Sequence, residues 1–284
     1  MSDFVVVGAG VAGAVAARRL LSAGYRVAVV ASGEGASHAP VAIVNPVRAK
    51  RAKPVPRARE ALAEAARFYQ SFGRLHFGLY HLLDEEKRER LAKTLPESGL
   101  EYHFEENRLF LPEAFWLWPR PLLAALLAGI PLYKDRVVSW EKDRAYLASG
   151  RELKGTLVFA GGAEGAGMLE SAPSLSAGSL LLVAEPGDGG IAEVFHAGGA
   201  IGGSYRPLKR YQAWTLTQGE LEELSQKARA LLGRPPTLLG SYSGVRYRHE
   251  SPLREERGAI VLAGLGSTGF LMAPLLTREL LARL

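Results

Sequence analysis

The stretch Phe4-Val5-Val6-Val7-Gly8-Ala9-Gly10-Val11-Ala12-Gly13 decides the fold of this 284-residue chain. A short apolar run ends in a Gly-x-Gly-x-x-Gly turn, a helical pattern follows, and a second apolar run, Val27-Ala28-Val29-Val30, comes after Gly24. Strand, tight turn, helix and strand in this order predict half of a dinucleotide-binding βαβ unit. The alternative is a glycine-rich turn in an α/β protein that binds no nucleotide.

Each glycine of this turn has a separate role in the predicted unit. Gly8 permits the sharp exit from the strand, Gly10 lets the backbone approach a pyrophosphate without a Cβ, and Gly13 lets the helix pack close to the sheet. The helix N-terminus, beginning at Val11 and Ala12, adds unpaired N–H groups and about half a positive charge. The turn therefore predicts a phosphate-binding site.

The composition restricts the chemistry that is available. The chain has no cysteine, which excludes disulfides, thiolate catalysis and cysteine-ligated metals. Its six histidines show no metal-ligand spacing, so no metal site is predicted. No apolar run reaches membrane-spanning length, and Met1-Ser2-Asp3 leads into the first strand without a signal peptide. A cytoplasmic protein without membrane contact is expected.

The net charge of +6 favours anionic ligands in general, including phosphates, carboxylates and nucleic acid. Six basic residues fall in one short segment without an aromatic residue between them: Arg48, Lys50, Arg51, Lys53, Arg57 and Arg59. Without aromatic residues, this segment does not resemble a base-stacking surface. It is interpreted as a solvated basic loop, with contact to a ligand phosphate and an RNA surface as alternatives.

In the rest of the chain, segments with a βαβ pattern alternate with segments that read as antiparallel strands. Helices are predicted over 57–73 and 85–95, from Trp116 onward, and over 217–232 and 273–284. Thr156-Leu157-Val158-Phe159-Ala160 is a continuous apolar strand that runs into Gly161-Gly162. From Gly178 the chain reads as strands separated by turns. This order predicts a nucleotide domain made of discontinuous pieces, with a second layer inserted twice.

A second strand, glycine turn and helix occur near the C-terminus, in Ile260-Val261-Leu262-Ala263-Gly264-Leu265-Gly266-Ser267-Thr268-Gly269-Phe270-Leu271-Met272-Ala273-Pro274. Together with the N-terminal turn, this stretch resembles the C-terminal flavin motif of the D-amino-acid oxidase / glycine oxidase family of FAD-dependent oxidoreductases. Further segments resemble the family in the right order: Val44-Asn45-Pro46, 156–162, 200–205, and Gly244-Val245-Arg246 followed by Ser251-Pro252-Leu253. The similarity includes the oxidase domain of the bifunctional enzyme that matures a modified wobble uridine in tRNA.

The resemblance implies an α/β fold, with a Rossmann-like FAD-binding domain of the glutathione-reductase-like type and an inserted antiparallel β-sheet substrate domain. The implied FAD-binding domain is discontinuous, comprising 1–75, 119–175 and 243–284, and the substrate domain comprises 76–118 and 176–242. FAD is the implied cofactor. Its expected contacts come from both terminal turns and from segments between them: Gly8, Gly10, Val11, Ala12, Gly13, Ser32, Asn45, Val138, Gly161, Gly162, Gly244, Gly266, Ser267, Thr268, Gly269 and Phe270.

The second glycine turn favours FAD over NAD. An extended FAD needs its pyrophosphate at one helix N-terminus and its flavin ring near another, and a nicotinamide enzyme does not need the second. The N–H groups of Ser267 to Phe270 can face the N1/O2 edge of the flavin, where negative charge develops on reduction.

The chain departs from the family pattern at three places. The acidic residue expected at the end of the second strand is Ala31, so that Ser32 or Glu34 would have to hold the adenosine ribose. The motif proline after Arg246 is Tyr247, and His249-Glu250 stands where the motif has an aspartate.

Arg246 and Tyr205 are the residues that the resemblance implies at the substrate. The matching arginine of the family lies over the flavin and binds the substrate carboxylate bidentately, and Tyr205 would hydrogen-bond the same group. The alternatives are an ion pair between strands for Arg246 and a core or rim tyrosine for Tyr205. The implied reaction is hydride transfer from the Cα–H of a small amino-acid-like amine to flavin N5.

Two other functions stay open. A flavoenzyme that acts on modified tRNA is favoured by the basic segment, and a flavin-binding protein without turnover is favoured by Ala31.

Overall fold

Two large β-sheets and seven α-helices form the fold in this computed structural model, which describes residues 2–48, 51–170 and 173–284. Lys50 of the basic segment lies outside the described residues. The helices are α1 (Val11–Ser22), α2 (Ala58–Tyr69), α3 (Glu85–Thr94), α4 (Pro119–Leu127), α5 (Gly162–Gly165), α6 (Gln218–Leu232) and α7 (Gly269–Leu281). None of the helices within these ranges is long and apolar enough to cross a membrane.

The first sheet has six strands in the order β20-β21-β13-β1-β2-β9. All neighbours are parallel except the antiparallel pair β20 and β21. The central strands are continuously apolar because both faces of the sheet are covered. The strands are β1 (Phe4–Val7), β2 (Val27–Ala31), β9 (Leu132–Lys134), β13 (Thr156–Phe159), β20 (Leu253–Glu256) and β21 (Ala259–Leu262).

The second sheet has ten strands, all antiparallel to their neighbours except β15 and β6. Its order is β18-β14-β17-β16-β15-β6-β8-β3, with β19 beside β14 and β7 beside β8. The strands are β3 (Ala42–Val44), β6 (His76–Leu82), β7 (His103–Glu105), β8 (Arg108–Leu117), β14 (Ser174–Val183), β15 (Asp188–Ile191), β16 (Phe195–Ala197), β17 (Ala200–Gly202), β18 (Arg206–Leu208) and β19 (Leu238–Arg248).

Five short strands complete the described fold. They form the ladder of β4 (Val47–Arg48) and β5 (Lys53–Pro54), and the meander of β10 (Val137–Glu141), β11 (Arg144–Leu147) and β12 (Glu152–Lys154).

The architecture confirms the α/β fold class, with a Rossmann-like parallel sheet and a second, mainly antiparallel sheet. The domain limits stay a prediction, and the strands cross them at three places. β3 lies in the segment 1–75 but pairs with β8. β14 runs across the limit between 175 and 176, and β19 runs across the limit between 242 and 243.

Four local expectations differ from the structure. Trp116 does not begin a helix: it is buried in β8 opposite Ile43, and α4 begins at Pro119, since proline suits the first helical turn. The last helix begins at Gly269, not at Ala273. β15 and β20 were not expected, because one contains two glycines and the other is a charged edge strand.

A buried carboxylate joins the helices that carry the two glycine turns. Glu64 on α2 is 3% exposed and accepts hydrogen bonds from Arg19 on α1, from Arg67, and from Arg278 on α7 at 2.9 Å. This network fixes α1 relative to α7, and therefore the N-terminus of one relative to the N-terminus of the other.

Candidate functional site

A long open cleft runs along the carboxyl ends of the parallel strands, which is where open α/β sheets bind their ligands. Both glycine turns contribute to its wall, and so do segments of the second sheet. The cleft is lined by residues 7–12, 30–37, 135–137, 159–165, 242–247 and 262–266, with Met168, Tyr211, Ala213, Trp214 and Gly269.

The N-terminal turn is built so closely that side chains would not fit. Gly8 has a φ of 103°, and a Cβ there would lie 2.3 Å from the carbonyl O of Ala160. A Cβ on Gly13 would lie 1.9 Å from the carbonyl O of Gly8. Gly10 is the N-cap of α1, whose first turn has no acidic residue and no side-chain cap. The free N–H groups at Val11 and Ala12 therefore meet the cleft.

The C-terminal turn brings a second helix N-terminus to the same cleft. Gly264 and Gly266 have φ values of 91° and 58°, and α7 begins at Gly269 without a side-chain cap or an acidic residue in its first turn. A Cβ on Gly269 would lie 3.1 Å from Val11 Cγ1, so the two helix ends adjoin. Two electropositive helix ends along one cleft fit an extended, doubly charged dinucleotide such as FAD.

Arg246 lies on the cleft wall formed by β19. Its Nη2 donates a hydrogen bond to the carbonyl O of Ser204 at 3.3 Å. Burial lowers the pKa of this guanidinium, and the nearby Tyr205 opposes that shift. No salt bridge to Arg246 occurs among the described residues, although an arginine remains charged even when it is partly desolvated. Among the described residues, the guanidinium of Arg246 therefore has no carboxylate partner.

A buried hydrogen-bond network holds the loop that contacts Arg246. Ser204 accepts a hydrogen bond from Ser179 N at 2.8 Å through Oγ and donates through the same atom to Glu220. Glu220 also accepts from Trp214 Nε1 at 3.0 Å. Burial would raise the pKa of Glu220, but the hydrogen bonds from Ser204, Thr217 and Trp214 outweigh it and lower the pKa. The network connects the Ser204 loop, which contacts Arg246, with Trp214 in the loop before α6.

Most residues expected at the cofactor or substrate do line the cleft: Gly8, Gly10, Val11, Ala12, Ser32, Gly161, Gly162, Gly244, Arg246, Gly266 and Gly269. Gly13 lies behind the lining and allows α1 to approach the sheet. Val138 is 49% exposed and away from the cleft, and its neighbour Val137 lines the wall instead, since side chains alternate along β10.

The remaining expected residues lie behind or beside the lining. Thr268 and Ser267 belong to a short 3₁₀ turn in which Thr268 Oγ1 donates to the carbonyl O of Leu265 at 2.8 Å. The ring of Phe270 packs beside Tyr69, with 6.2 Å between ring centroids. Tyr205 is 50% exposed near Arg246.

Asn45 is partly buried and forms a polar pair with the buried His81. Its Oδ1 accepts from Val47 N at 3.0 Å and lies 3.3 Å from Nε2 of His81. Burial lowers the pKa of His81 to about 4, so this histidine is neutral at physiological pH. Asn45 therefore shapes the loop after β3 and is not among the residues that line the cleft.

Several lining residues were not found from the sequence. Tyr211 and Trp214 come from the loop before α6, which reaches the cleft only through tertiary packing, so no local signal marked them. Asp135 and Arg136 did have a signal. They follow β9, and the carboxyl ends of parallel strands meet at one edge of a sheet.

Three arginines form a basic cluster beside the C-terminal turn. Burial, followed by the charges of Arg248 and Arg51, lowers the pKa of Arg48. A Cβ on Gly266 would lie 3.6 Å from Arg248 Cβ, which places this cluster against the turn before α7. In the part of the chain that the structure describes, no acidic side chain forms a salt bridge with any of the three.

Comparison with known proteins is consistent with this geometry. The family model described as DAO, FAD dependent oxidoreductase, matches residues 3–284. The tRNA 5-methylaminomethyl-2-thiouridine biosynthesis bifunctional protein MnmC of Caulobacter vibrioides is 30% identical over 323 aligned residues. The match covers 98% of this chain and 54% of that protein. The chain thus spans about half the length of this curated relative.

Two similar solved structures have the same fold. Glycine oxidase from Geobacillus kaustophilus matches with a TM-score of 0.81 at 21% identity, over 99% of this chain and 93% of that one. L-proline dehydrogenase from P. horikoshii matches with a TM-score of 0.81 at 17% identity, over 99% and 93% of the two chains. The family model covers nearly every residue, and both helix ends that FAD requires are present, so the chain belongs to the DAO family of FAD-dependent oxidoreductases.

Proposed function

We propose that this chain uses FAD to oxidise the C–N bond of a small amino-acid-like amine. The observation that carries the proposal is Arg246, a partly desolvated guanidinium that shares a cleft with the N-terminus of α7 and has no carboxylate partner among the described residues. A planar fork of N–H donors binds a carboxylate at two points, which a lysine cannot do. An amine that also carries a carboxylate fits this arrangement.

The residues of the chain bind and orient the substrate. Arg246 fixes the carboxylate, and the Ser204 carbonyl limits the directions in which the guanidinium can turn. When bound in this cleft, FAD would supply the acceptor for the hydride that leaves the carbon next to the nitrogen, whose lone pair would form the C=N bond. The free N–H groups at the start of α7 stabilise the negative charge that develops nearby. Orientation of this kind removes much of the entropic barrier.

The proton balance does not require a basic residue of the chain. No histidine is found among the described residues that line the cleft. A substrate amine that binds in its neutral form already has the lone pair that the C=N bond needs. The imine then leaves and is hydrolysed in water.

Anaerobic reduction of the FAD-loaded protein by a panel of amines tests the proposal. We expect amines with a neighbouring carboxylate to bleach the flavin, and Arg246→Ala to weaken their binding by roughly a thousandfold, since two charge-assisted hydrogen bonds of about 2 kcal/mol each are lost. Arg234→Ala is the matched control, because Arg234 is exposed and pairs with Glu185 away from the cleft. Unchanged amine affinity in Arg246→Ala would refute the role of Arg246. A loaded protein that no amine bleaches would favour flavin binding without turnover.

A flavoenzyme that acts on tRNA is the second candidate function. The cluster of Arg48, Arg51 and Arg248 beside the C-terminal turn, which has no acidic partner among the described residues, favours it, as does the similarity to MnmC. Phosphate contacts make binding steeply salt-dependent. We expect tRNA affinity to fall with salt, and to fall less steeply once Arg48 and Arg51 are replaced by alanine. Equal, weak tRNA binding by parent and variant would exclude this candidate.

A further inference from the structure

The adenosine end of the cleft lacks the acid that dinucleotide-binding folds place at the end of the second strand to bind the ribose hydroxyls. Here β2 ends in Ala31, and Ser32 and Glu34 follow on the cleft wall. A ribose hydroxyl that leaves water on binding and finds no hydrogen-bond acceptor in the protein weakens the binding of the dinucleotide. Another acceptor is therefore needed within reach of Ala31.

Neither of the other carboxylates along the cleft fills this place. Both oxygens of Glu34 accept from the guanidinium of Arg120, at 2.8 and 2.6 Å, so turning Glu34 toward the ribose would break a bidentate pair. Glu164 lies on α5 after β13, and β13 is separated from β2 by β1. Glu164 is thus on the far side of the N-terminal turn.

Asp135 lies directly beside Ala31. β9 pairs in parallel with β2, with Lys134 opposite Ala31, and Asp135 N donates to the carbonyl O of Ala31 at 3.2 Å. The backbone of Asp135 therefore lies about one strand spacing, roughly 4.8 Å, from the end of β2. Asp135 lines the cleft.

The carboxylate of Asp135 is ionised and oriented. Hydrogen bonds from the side chain of Ser149 and from the backbone of Arg136 lower its pKa, and the Arg136 N–H lies 2.7 Å from Oδ1. A carboxylate has about four acceptor positions, so capacity remains for a ligand.

We propose that Asp135 binds the adenosine ribose hydroxyls of FAD. In this chain the ribose-binding carboxylate would lie at the end of the neighbouring strand β9 and not at the end of β2, and both positions are at the same edge of the sheet. This assignment concerns the cofactor only and does not depend on the identity of the substrate.

Titration of the apoprotein with FAD and with its dideoxyadenosine analogue tests the assignment, with flavin fluorescence as the signal. We expect the parent to prefer FAD by roughly tenfold or more, as for a hydrogen bond to a charged group. Asp135→Asn should weaken FAD binding by a similar factor and abolish the preference for FAD over the dideoxyadenosine analogue. Asp143→Asn is the matched control, an exposed aspartate in the turn between β10 and β11, and should bind both flavins as the parent does.

A rescue makes the test independent of general damage. Ala31→Glu restores an acid at the end of β2, so in the Asp135→Asn background it should recover both FAD affinity and the preference. The assignment is overturned if Asp135→Asn binds FAD within twofold of the parent, or if it weakens both flavins equally and keeps the preference. Loss of the preference in Glu34→Gln, with Asp135→Asn unchanged, would overturn it in favour of Glu34. If Asp135→Asn does not fold, the single variant Ala31→Glu decides. A tenfold gain in FAD affinity would show that no acid bound the ribose in the parent and would overturn the assignment, whereas parental affinity would support it.

Discussion

Gly178 in β14 leaves the space that the guanidinium of Arg246 occupies. A Cβ built on Gly178 would lie 2.4 Å from Arg246 Nη2 and 2.5 Å from the carbonyl O of Ser204. Both distances are too short for van der Waals contact. Gly178→Ala must therefore displace either the guanidinium or the carbonyl that orients it.

The size of the expected effect follows from the geometry of a bidentate pair. Displacing the guanidinium costs one of its two hydrogen bonds to a carboxylate, about 2 kcal/mol for a charged group. That free energy corresponds to roughly 30-fold weaker binding of the carboxylate. FAD affinity should stay the same, because Gly178 does not line the cleft.

Acetate titration of the FAD-loaded protein measures this effect through the perturbation of the flavin absorption spectrum. Gly240→Ala in β19 is the matched control, since a Cβ there would make an ordinary contact of 3.5 Å with Leu182 Cδ1. We expect weaker acetate binding in Gly178→Ala and parental binding in Gly240→Ala. A folded, FAD-loaded Gly178→Ala protein that binds acetate as tightly as the parent would refute the placement of the carboxylate at Arg246.

Three further predictions concern the cofactor turn and the stability of the fold. Gly13→Ala should abolish FAD binding in fluorescence titrations, because its Cβ would lie 1.9 Å from the carbonyl O of Gly8, whereas Gly167→Ala, with open space around it, should bind FAD normally. Glu64→Ala should lower the free energy of unfolding in urea by about 1–3 kcal/mol, since the partly buried Arg19 loses its carboxylate partner while Arg67 and Arg278 reach solvent; a loss below 1 kcal/mol would mean that the network behaves like an exposed ion pair. Burial lowers the pKa of His81 from 6.5 to about 4, so between these pH values the unfolded chain binds a proton that the folded chain does not. Stability should therefore fall as the pH falls through this window, by up to about 1.4 kcal/mol per pH unit, and His81→Gln should flatten that slope; an identical slope in the variant would contradict it.

The sequence predicted the parts of the site that depend on local backbone geometry. The two glycine turns are recognisable because only glycine fits where a Cβ would meet a carbonyl oxygen, as at Gly8 and Gly13. The start of the helix predicted over 217–232 was equally visible, since Thr217 and Glu220 form both hydrogen bonds of a capping box within four residues.

Other parts of the site depend on packing between distant segments, which a single sequence does not encode locally. Trp214 reaches the cleft through its hydrogen bond to Glu220, which itself holds the Ser204 loop. Asp135 gains its position from the pairing of β9 with β2, about a hundred residues earlier in the chain. Trp116 was expected in a helix because the prolines that follow it outweighed the apolar pattern of β8.

The visible absorption spectrum of the purified protein, incubated with FAD and recorded anaerobically before and after addition of an amino-acid-like amine, tests the function most directly. We expect flavin bands that stay with the protein through gel filtration and that bleach when an amine with a neighbouring carboxylate is added. A folded protein that remains colourless after incubation with FAD would contradict both the cofactor site and the reaction.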